Sequence, residues 1–393
     1  MKPLLFSCAV LFSVQLLKAQ TAYTSKYDFV PGDKVTAVEN FANTEIGDFP
    51  LRWQTNATAE VVTVDGKPGK WLKINKEGVF YPEFITSLPE NFTLEFDLAV
   101  NSGWNEWPFV LNITNLKSPK QYTQYYHYVS WQGVHTVHMQ FQPARVDQRL
   151  GSSKLQAGRD GNHEVSNDVE YKVWDNKTMT FAHISLWRQN QRLRVYLNGE
   201  KIWDVQQLFD PAAKYNAITF AASRNNQADA YFLLSNIRFA AGAPDTRNKL
   251  KQGSFVTRGI LFDANSDVIK PESYGVLKDI GTALKESLTK TTIIGHTDNT
   301  GDAQANLDLS KRRADAVKTY LVSEFGLVAD SLVTIGKGAT MPIDNNTTLE
   351  GMANNRRVEF ITLPITVKTG GETNLPITVK PEPKLPITVK PKN

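Results

Sequence analysis

Two patterns of hydrophobic and polar positions divide this chain. From residue 24 to residue 242 the alternation has the period of a strand. "NFTLEFDLAV" sets Phe92, Leu94, Phe96, Leu98 and Val100 on one face and Glu95 and Asp97 on the other, a face that reads as solvated. "RLRVYLNGEKIWDV" places Leu193, Val195 and Leu197 opposite Arg192, Arg194 and Tyr196, then turns at Asn198-Gly199. An Asn-Gly pair between strands marks a hairpin, because both turn residues take positive φ. "AITFAAS" and "AYFLLSNIRF" continue the pattern, and all eight tryptophans lie between Trp53 and Trp203. Many short strands with polar turns and no helical period predict an all-β jelly-roll sandwich.

The period then changes. "AAGAPDTRNKLKQG", residues 240–253, is small, polar and charged, and residues 243–253 read as a linker. Beyond it "GSFVTRGILF" is strand-like, and "PESYGVLKDIGTALKESL" opens on proline and carries Val276, Leu277, Ile280, Leu284 and Leu288 at helical spacing. "KTTIIGHT" is a strand, 303–325 a helix, and "DSLVTIGKG" and "NRRVEFIT" are strands. On the helix, Leu307, Ser310, Ala314, Val317 and Leu321 form the expected inward stripe. This β-α-β-α-β-β order predicts an α/β sandwich over residues 254–362. Residues 363–393 repeat "LPITVK" three times, with five lysines and two glutamates. An extended, solvated tail is expected there, with addition of the "ITVK" copies to a sheet edge as the alternative.

Length, charge and cysteine content narrow the classes. A chain of 393 residues implies a multidomain protein, and a net charge of +4 gives no electrostatic case for nucleic acid. The opening "MKPLLFSCAVLFSVQLLKAQ" reads as a signal peptide over residues 1–19: a positive start, an apolar run and a small residue, Ala19, at the cleavage point. The one cysteine, Cys8, lies inside it, so the exported chain is expected to carry no thiol. No later apolar run is long enough for a membrane helix. His135 and His138 lie three apart on a strand and face opposite sides, and "DGNHEVSND" lacks the spacing of a strict calcium loop. No cofactor or metal is expected.

The richest local chemistry lies in "GHTDNTGDAQANLDLSKRRADAV". Asp298 leaves a buried strand, Asp302 is a good N-cap for the following helix, and Arg313 sits beside its inward stripe. Three readings of Asp298 and Arg313 compete: a surface ion pair worth less than about 1 kcal/mol, a catalytic pair with His296 nearby, or a receptor for a zwitterion. In the last, the guanidinium grips a carboxylate through two parallel bonds and the carboxylate takes an ammonium.

The pieces "FDANSDVIKP", "GHTDNTG", "NLDLSKRRADAVKTYL" and "IGKGATMPIDNNTTLEGMANNRRVEF" stand in one order. Together they resemble the OmpA-like peptidoglycan-binding domain of Gram-negative envelope proteins, and the resemblance covers nearly all of 254–362. It implies recognition of diaminopimelate in the peptide stem, with Asp298 of the Thr297–Asp298 pair and Arg313 holding its zwitterionic end. Asn306, Arg356 and Asn265 fall on the family's further ligand positions. The implied partner is peptidoglycan and the implied place the cell envelope, in the periplasm or at the outer membrane. Flagellar stator proteins share the domain but carry a membrane helix.

The first domain has a looser resemblance, to the concanavalin A-like lectin/glucanase or laminin G-like sandwich. It rests on "ENFANTEIGDFPLRW", "TLEFDLAV" and "HISLWRQNQRLRVYLNGEKIWDV". Some glucanases on that fold carry Glu-x-Asp followed by a second glutamate. Here Glu95 and Asp97 occur, but Ala99 and Val100 stand where a further acid is needed, so the pair of carboxylates for glycoside hydrolysis is not assembled locally. Trp104, Trp107 and the aromatics of "YTQYYHYVSW" suit either packing or stacking on sugar rings. An eight-stranded outer-membrane barrel is the rival architecture; residues 143–170 are too long and polar for its tight turns. The sequence thus predicts a non-catalytic envelope protein that presents a sandwich, with a glycan or an envelope protein as its partner, and anchors to peptidoglycan. A wall-anchored polysaccharide-cleaving enzyme is the alternative.

Overall fold

The alternating run Asn91–Val100 forms a central strand, and its five predicted core residues are all fully buried. Its sheet is antiparallel and runs in the order Glu200–Val205, Arg192–Leu197, Phe181–Gln189, Asn91–Val100, Phe232–Ala241, Lys67–Ile74, Ala59–Val64. Lys34–Glu39 pairs with the second half of Phe232–Ala241. The other sheet runs Asn162–Tyr171, Gly151–Arg159, His135–Gln142, Phe109–Thr114, Ala217–Ala222, Gly78–Pro82, Trp53–Thr55. Phe96 meets Phe141 and Phe220 edge-on across the gap, at 6.4 and 5.3 Å between centroids, so the sheets share one core. Among the described residues these strands form two separate sheets, not one closed ring.

The computed structural model describes residues 28–364 except 102–103, 105–106, 117, 119–120, 122–133, 146–149, 160–161, 173, 175–180, 223–228, 243–244 and 288. The expected signal peptide, the aromatic run 122–131, Leu288 and the repeat tail beyond residue 364 lie outside the described residues.

The second domain is a four-stranded sheet ordered Ser254–Thr257, Val358–Pro364, Thr289–His296, Leu332–Gly338. Its helices are α1 (Thr246–Lys251), α2 (Tyr274–Glu286), α3 (Ala303–Phe325) and α4 (Leu349–Asn355). The stretch read as a bare linker therefore contains α1. Asp245 caps it by accepting from Asn248 N, and Leu250 is buried in the second core. The sequence reading also missed the short α4, whose N-cap is Thr348. On α3 the inward stripe holds from Ser310 onward, but Leu307 is 37% exposed and Asn306 and Leu309 are buried instead. The Leu307 backbone lies against Gly336, which turns its side chain to the rim.

The expected wet face of the first sheet is not wet. Thr93 and Glu95 are buried, because the second domain and the entering segment 28–33 cover them. Thr93 Oγ1 accepts from Gly32 N at 3.0 Å. Phe29, Trp187 and Tyr196 join the core of the second domain, where they meet α2. A β-carbon on Gly275 of α2 would stand 2.2 Å from Phe29 O, so only glycine permits this approach. The free edge of Lys34–Glu39 is capped from α4. Asn354 Nδ2 donates to Val35 O at 2.8 Å, its Oδ1 accepts from Val35 N at 3.0 Å, and Glu350 Oε1 accepts from Val38 N at 3.1 Å. Side-chain amides and carboxylates thus complete a ladder that would otherwise expose unpaired backbone groups.

Under this cover the face is charged and matched. Arg238 Nη1 donates to Glu95 Oε1 at 2.6 Å, His183 Nδ1 stands 2.7 Å from Asp97 Oδ1, and Asn236 Nδ2 donates to Asp97 Oδ2 at 2.7 Å. Burial pushes the Glu95 carboxyl up, but Arg238 and His183 outweigh it and hold the group below the usual range. Burial alone would lower His183; its bonds to Asp97 and Glu95 prevail and raise it to about 10.

Two outcomes follow from the seam. Asn354→Leu strands two buried backbone groups of Val35, so it should lower unfolding free energy by about 2 kcal/mol in denaturant titrations of the full chain. A loss within about 0.5 kcal/mol, the scale of an ordinary surface substitution, would mean the amide is not structural. His183 has a folded pKa above its unfolded value of 6.5. Its contribution is therefore complete below about pH 6.5 and is lost as pH rises toward about 10. The stability gap between the wild type and His183→Gln should shrink over that window, and a gap that stays constant would contradict the pairing.

Candidate functional site

Strand Thr289–His296 ends where α3 crosses it most closely. A β-carbon on Gly295 would come within 2.2 Å of Ser310 O, so this glycine lets the helix lie directly on the strand and fixes where the next residues emerge. His296, Thr297 and Asp298 are all buried. Thr297 N donates to Gly338 O at 3.0 Å, while its hydroxyl has no hydrogen-bond partner.

Asp298 closes the loop onto the helix. Its Oδ1 accepts from Thr300 N at 2.9 Å, an Asx-type turn. Asn306 Nδ2 donates to Thr300 O at 2.9 Å, and Asp302 caps α3 by accepting from Ala305 N at 2.8 Å. The other oxygen, Asp298 Oδ2, accepts from Arg356 Nη1. Burial pushes this carboxyl up, but the Thr300 amide and the Arg356 guanidinium hold it below the usual carboxylate range.

Arg313 does not bond Asp298. Its Nε donates to Ser266 O at 2.9 Å and its Nη2 to Asp263 O at 3.2 Å, and its guanidinium lies 4.9 Å from the Phe262 ring centroid. The turn supplying those carbonyls contains Asn265, which has φ of 53° and an exposed side chain. Burial lowers the Arg313 pKa and Arg356 adds to this, while Asp298 acts in the opposite sense. The three charges therefore share one field, with Arg356 as the direct partner of the aspartate. The structure brings Asp298, Thr297, Asn306 and Arg356 together, with Arg313 held beside them by the loop that carries Asn265.

A cavity of ≈ 180 Å³ opens behind this cluster, lined by Arg313, Arg356, Phe262 and His296 and also by Arg238, Arg258 and Arg357. The sequence reading missed these last three. Arg357 was visible in "NRRV" and Arg258 follows the second domain's first strand, but Arg238 reaches the cavity only through the packing of one domain on the other.

Elsewhere the sandwich motifs are structural. His138 is buried with Nδ1 2.8 Å from Asn112 Oδ1, and His135 pairs with Asp210 at 3.1 Å. Trp104 is fully buried against Phe232, whereas Trp107 is 53% exposed. "DGNHEVSND" runs into the strand Asn162–Tyr171.

Comparison with known proteins bears on the second domain. Residues 261–356 match the OmpA family. Outer membrane porin F of Pseudomonas aeruginosa is 40% identical over 101 residues, which are 25% of this chain and 29% of that protein. The probable lipoprotein YiaD of Escherichia coli is 39% identical over 107 residues, 27% of this chain and 48% of the relative. Peptidoglycan-binding protein ArfA of Mycobacterium tuberculosis is 41% identical over 108 residues, 27% and 33% of the respective lengths. The chain thus spans less than half of each of these relatives. Among solved structures, the cell wall anchor of the T6SS from Pseudomonas aeruginosa aligns at 32% identity over 28% of this chain and 79% of that one, with a TM-score of 0.26. The relatives' names place them in the cell envelope, the location expected for this chain. Residues 261–356 are an OmpA family domain.

Proposed function

We propose that this protein anchors to peptidoglycan by holding diaminopimelate of the peptide stem at Asp298 and Arg313, with Thr297, Asn306, Arg356 and Asn265 shaping the site. The observation that carries the proposal is a buried carboxylate kept ionised beside two guanidinium groups at the lip of a cavity. An ammonium is matched by Asp298, and a carboxylate by the donors that Arg313 and Arg356 have left beyond their bonds to Ser266, Asp263 and Asp298. Family membership of the domain and a peptidoglycan-binding relative support the same reading. The first domain, read as a jelly-roll of lectin or laminin G type, is the presented module, with a glycan or envelope protein as its partner. The protein would sit in the Gram-negative envelope, in the periplasm or at the outer membrane.

The test uses the full chain, because the domains share a packed seam. A diaminopimelate-containing muropeptide should bind saturably, and a lysine-containing stem should bind far more weakly. Asp298→Ala and Arg313→Ala should each weaken binding about 10- to 100-fold, the range for losing one charge-assisted hydrogen bond. Wild-type binding that both substitutions leave intact would remove these residues from the site.

The alternative reading makes the sandwich a polysaccharide-cleaving enzyme through Glu95. Against it, Glu95 is 3% exposed beneath the second domain and its proton is disfavoured by Arg238, so it is neither reachable nor a ready acid. No sugar release from mixed envelope glycans is expected. Release by the wild type that a folded Glu95→Gln variant loses would reinstate the enzyme.

A further inference from the structure

The cavity behind the Asp298 cluster is walled by both domains. Val38 and Arg238 come from the first sheet, and Arg258, just after the strand Ser254–Thr257, with His296, Arg356 and Arg357 from the second domain. Its charges do not balance. Five guanidinium groups line it: Arg238, Arg258, Arg313, Arg356 and Arg357. Three carboxylates bond them: Glu95 holds Arg238, Asp298 holds Arg356, and Glu359 holds Arg357. Among the described residues the hydrogen bonds of Arg258 and Arg313 go to backbone carbonyls, those of Asp33, Ser266 and Asp263, while Asp298 and Asp267 act on Arg313 without bonding it. Asp33 and Asp344 act on Arg258 from further off, but Asp33 is paired with Lys249 and Asp344 accepts from Asn354.

Three buried polar atoms in the wall, Arg258 Nε and both ring nitrogens of His296, have no hydrogen-bond partner among the described residues. His296 is 4% exposed, and its Nε2 stands 3.3 Å from Glu359 Oε1. Buried donors without partners are costly, and unpaired positive charge in a partly enclosed space is costlier.

We infer that this crevice is an oxyanion subsite built by the two domains together, in which Arg258 and Arg313 receive one small carboxylate or phosphate. A cavity of ≈ 180 Å³ suits a single such group and not a whole sugar or peptide. Asp298 and Asn306 do not line it but Arg313 and Arg356 do, so the subsite adjoins the proposed diaminopimelate clamp, shares its arginines and rests on that reading, with Arg258 as the residue it adds. Arg258 and Arg357 also lie outside the matched family segment 261–356, and Arg238 belongs to the other domain. The subsite is thus a property of this two-domain arrangement.

The experiment titrates the full chain with inorganic phosphate and, separately, acetate, at ionic strength held constant with chloride, reading heat of binding and unfolding midpoint. One of the two anions should bind with a stoichiometry of one and raise the midpoint, and which of them does so assigns the ligand as phosphate-like or carboxylate-like. Arg258→Gln should weaken that binding about tenfold or more, the loss expected for one charge-assisted contact. Arg258→Lys keeps the charge without the fork and should show a smaller loss; it also serves if Arg258→Gln does not fold. Asp298→Ala should retain anion binding while losing the muropeptide, which distinguishes failure of this subsite from failure of the clamp. Neither anion exceeding chloride, or full binding by a folded Arg258→Gln chain, would overturn the inference.

Discussion

The side-chain amide of Asn354 sits on the backbone of Val35 as a neighbouring strand would, donating to its carbonyl and accepting from its amide. Much of the architecture depends on that substitution of a side chain for a strand. A sheet edge left open in water is a template for aggregation, and here it is closed by the second domain. The same contact fixes α4 against the first sheet and leaves Arg356, the residue after α4, where it can bond Asp298. Gly275 against Phe29 and the shared core of Trp187 and Tyr196 make the contact a packed seam, not a touch between independent modules.

Burial of polar groups along this seam sets the electrostatics of the site. Burying Glu95 and half-burying Asp97 is tolerable because Arg238 bonds one Glu95 oxygen, His183 and Asn236 bond the two oxygens of Asp97, and His183 stands 3.7 Å from the other Glu95 oxygen. At the cavity, guanidinium groups outnumber the carboxylates that bond them. A bound anion of the kind proposed would supply the missing charge.

What the sequence made legible follows from range. The strand alternation, the Asp302 cap and the loop motif around Asp298 are set by neighbours within a few residues, and the structure places them as read. The Asp298–Arg313 pair was legible as a pair of positions, but its geometry was not. Arg356 takes the direct bond from 58 positions away, and the turn at Asn265 draws Arg313 aside. The solvated reading of Glu95 failed for a related reason. An outward charge on an alternating strand looks the same whether water or another domain covers it, and only tertiary packing separates the two cases. The linker reading failed locally: Asp245 is a competent cap, but six residues with one apolar anchor, Leu250, are too few to announce a helix by periodicity.

A rigid seam also changes what anchoring means mechanically. If the domains were joined by a free linker, a bound stem would constrain only the second domain, and the first would wander over a radius set by the linker's length. With α1 folded and Lys249 paired to Asp33, orientation is transmitted instead. Under the proposed function, a stem held at Asp298 would fix the direction in which the first sheet's far edge, Glu200–Val205, faces. The same rigidity makes the two halves of the cavity wall arrive together, so a group that bridges Arg258 and Arg313 need not bear the entropy of assembling its own site.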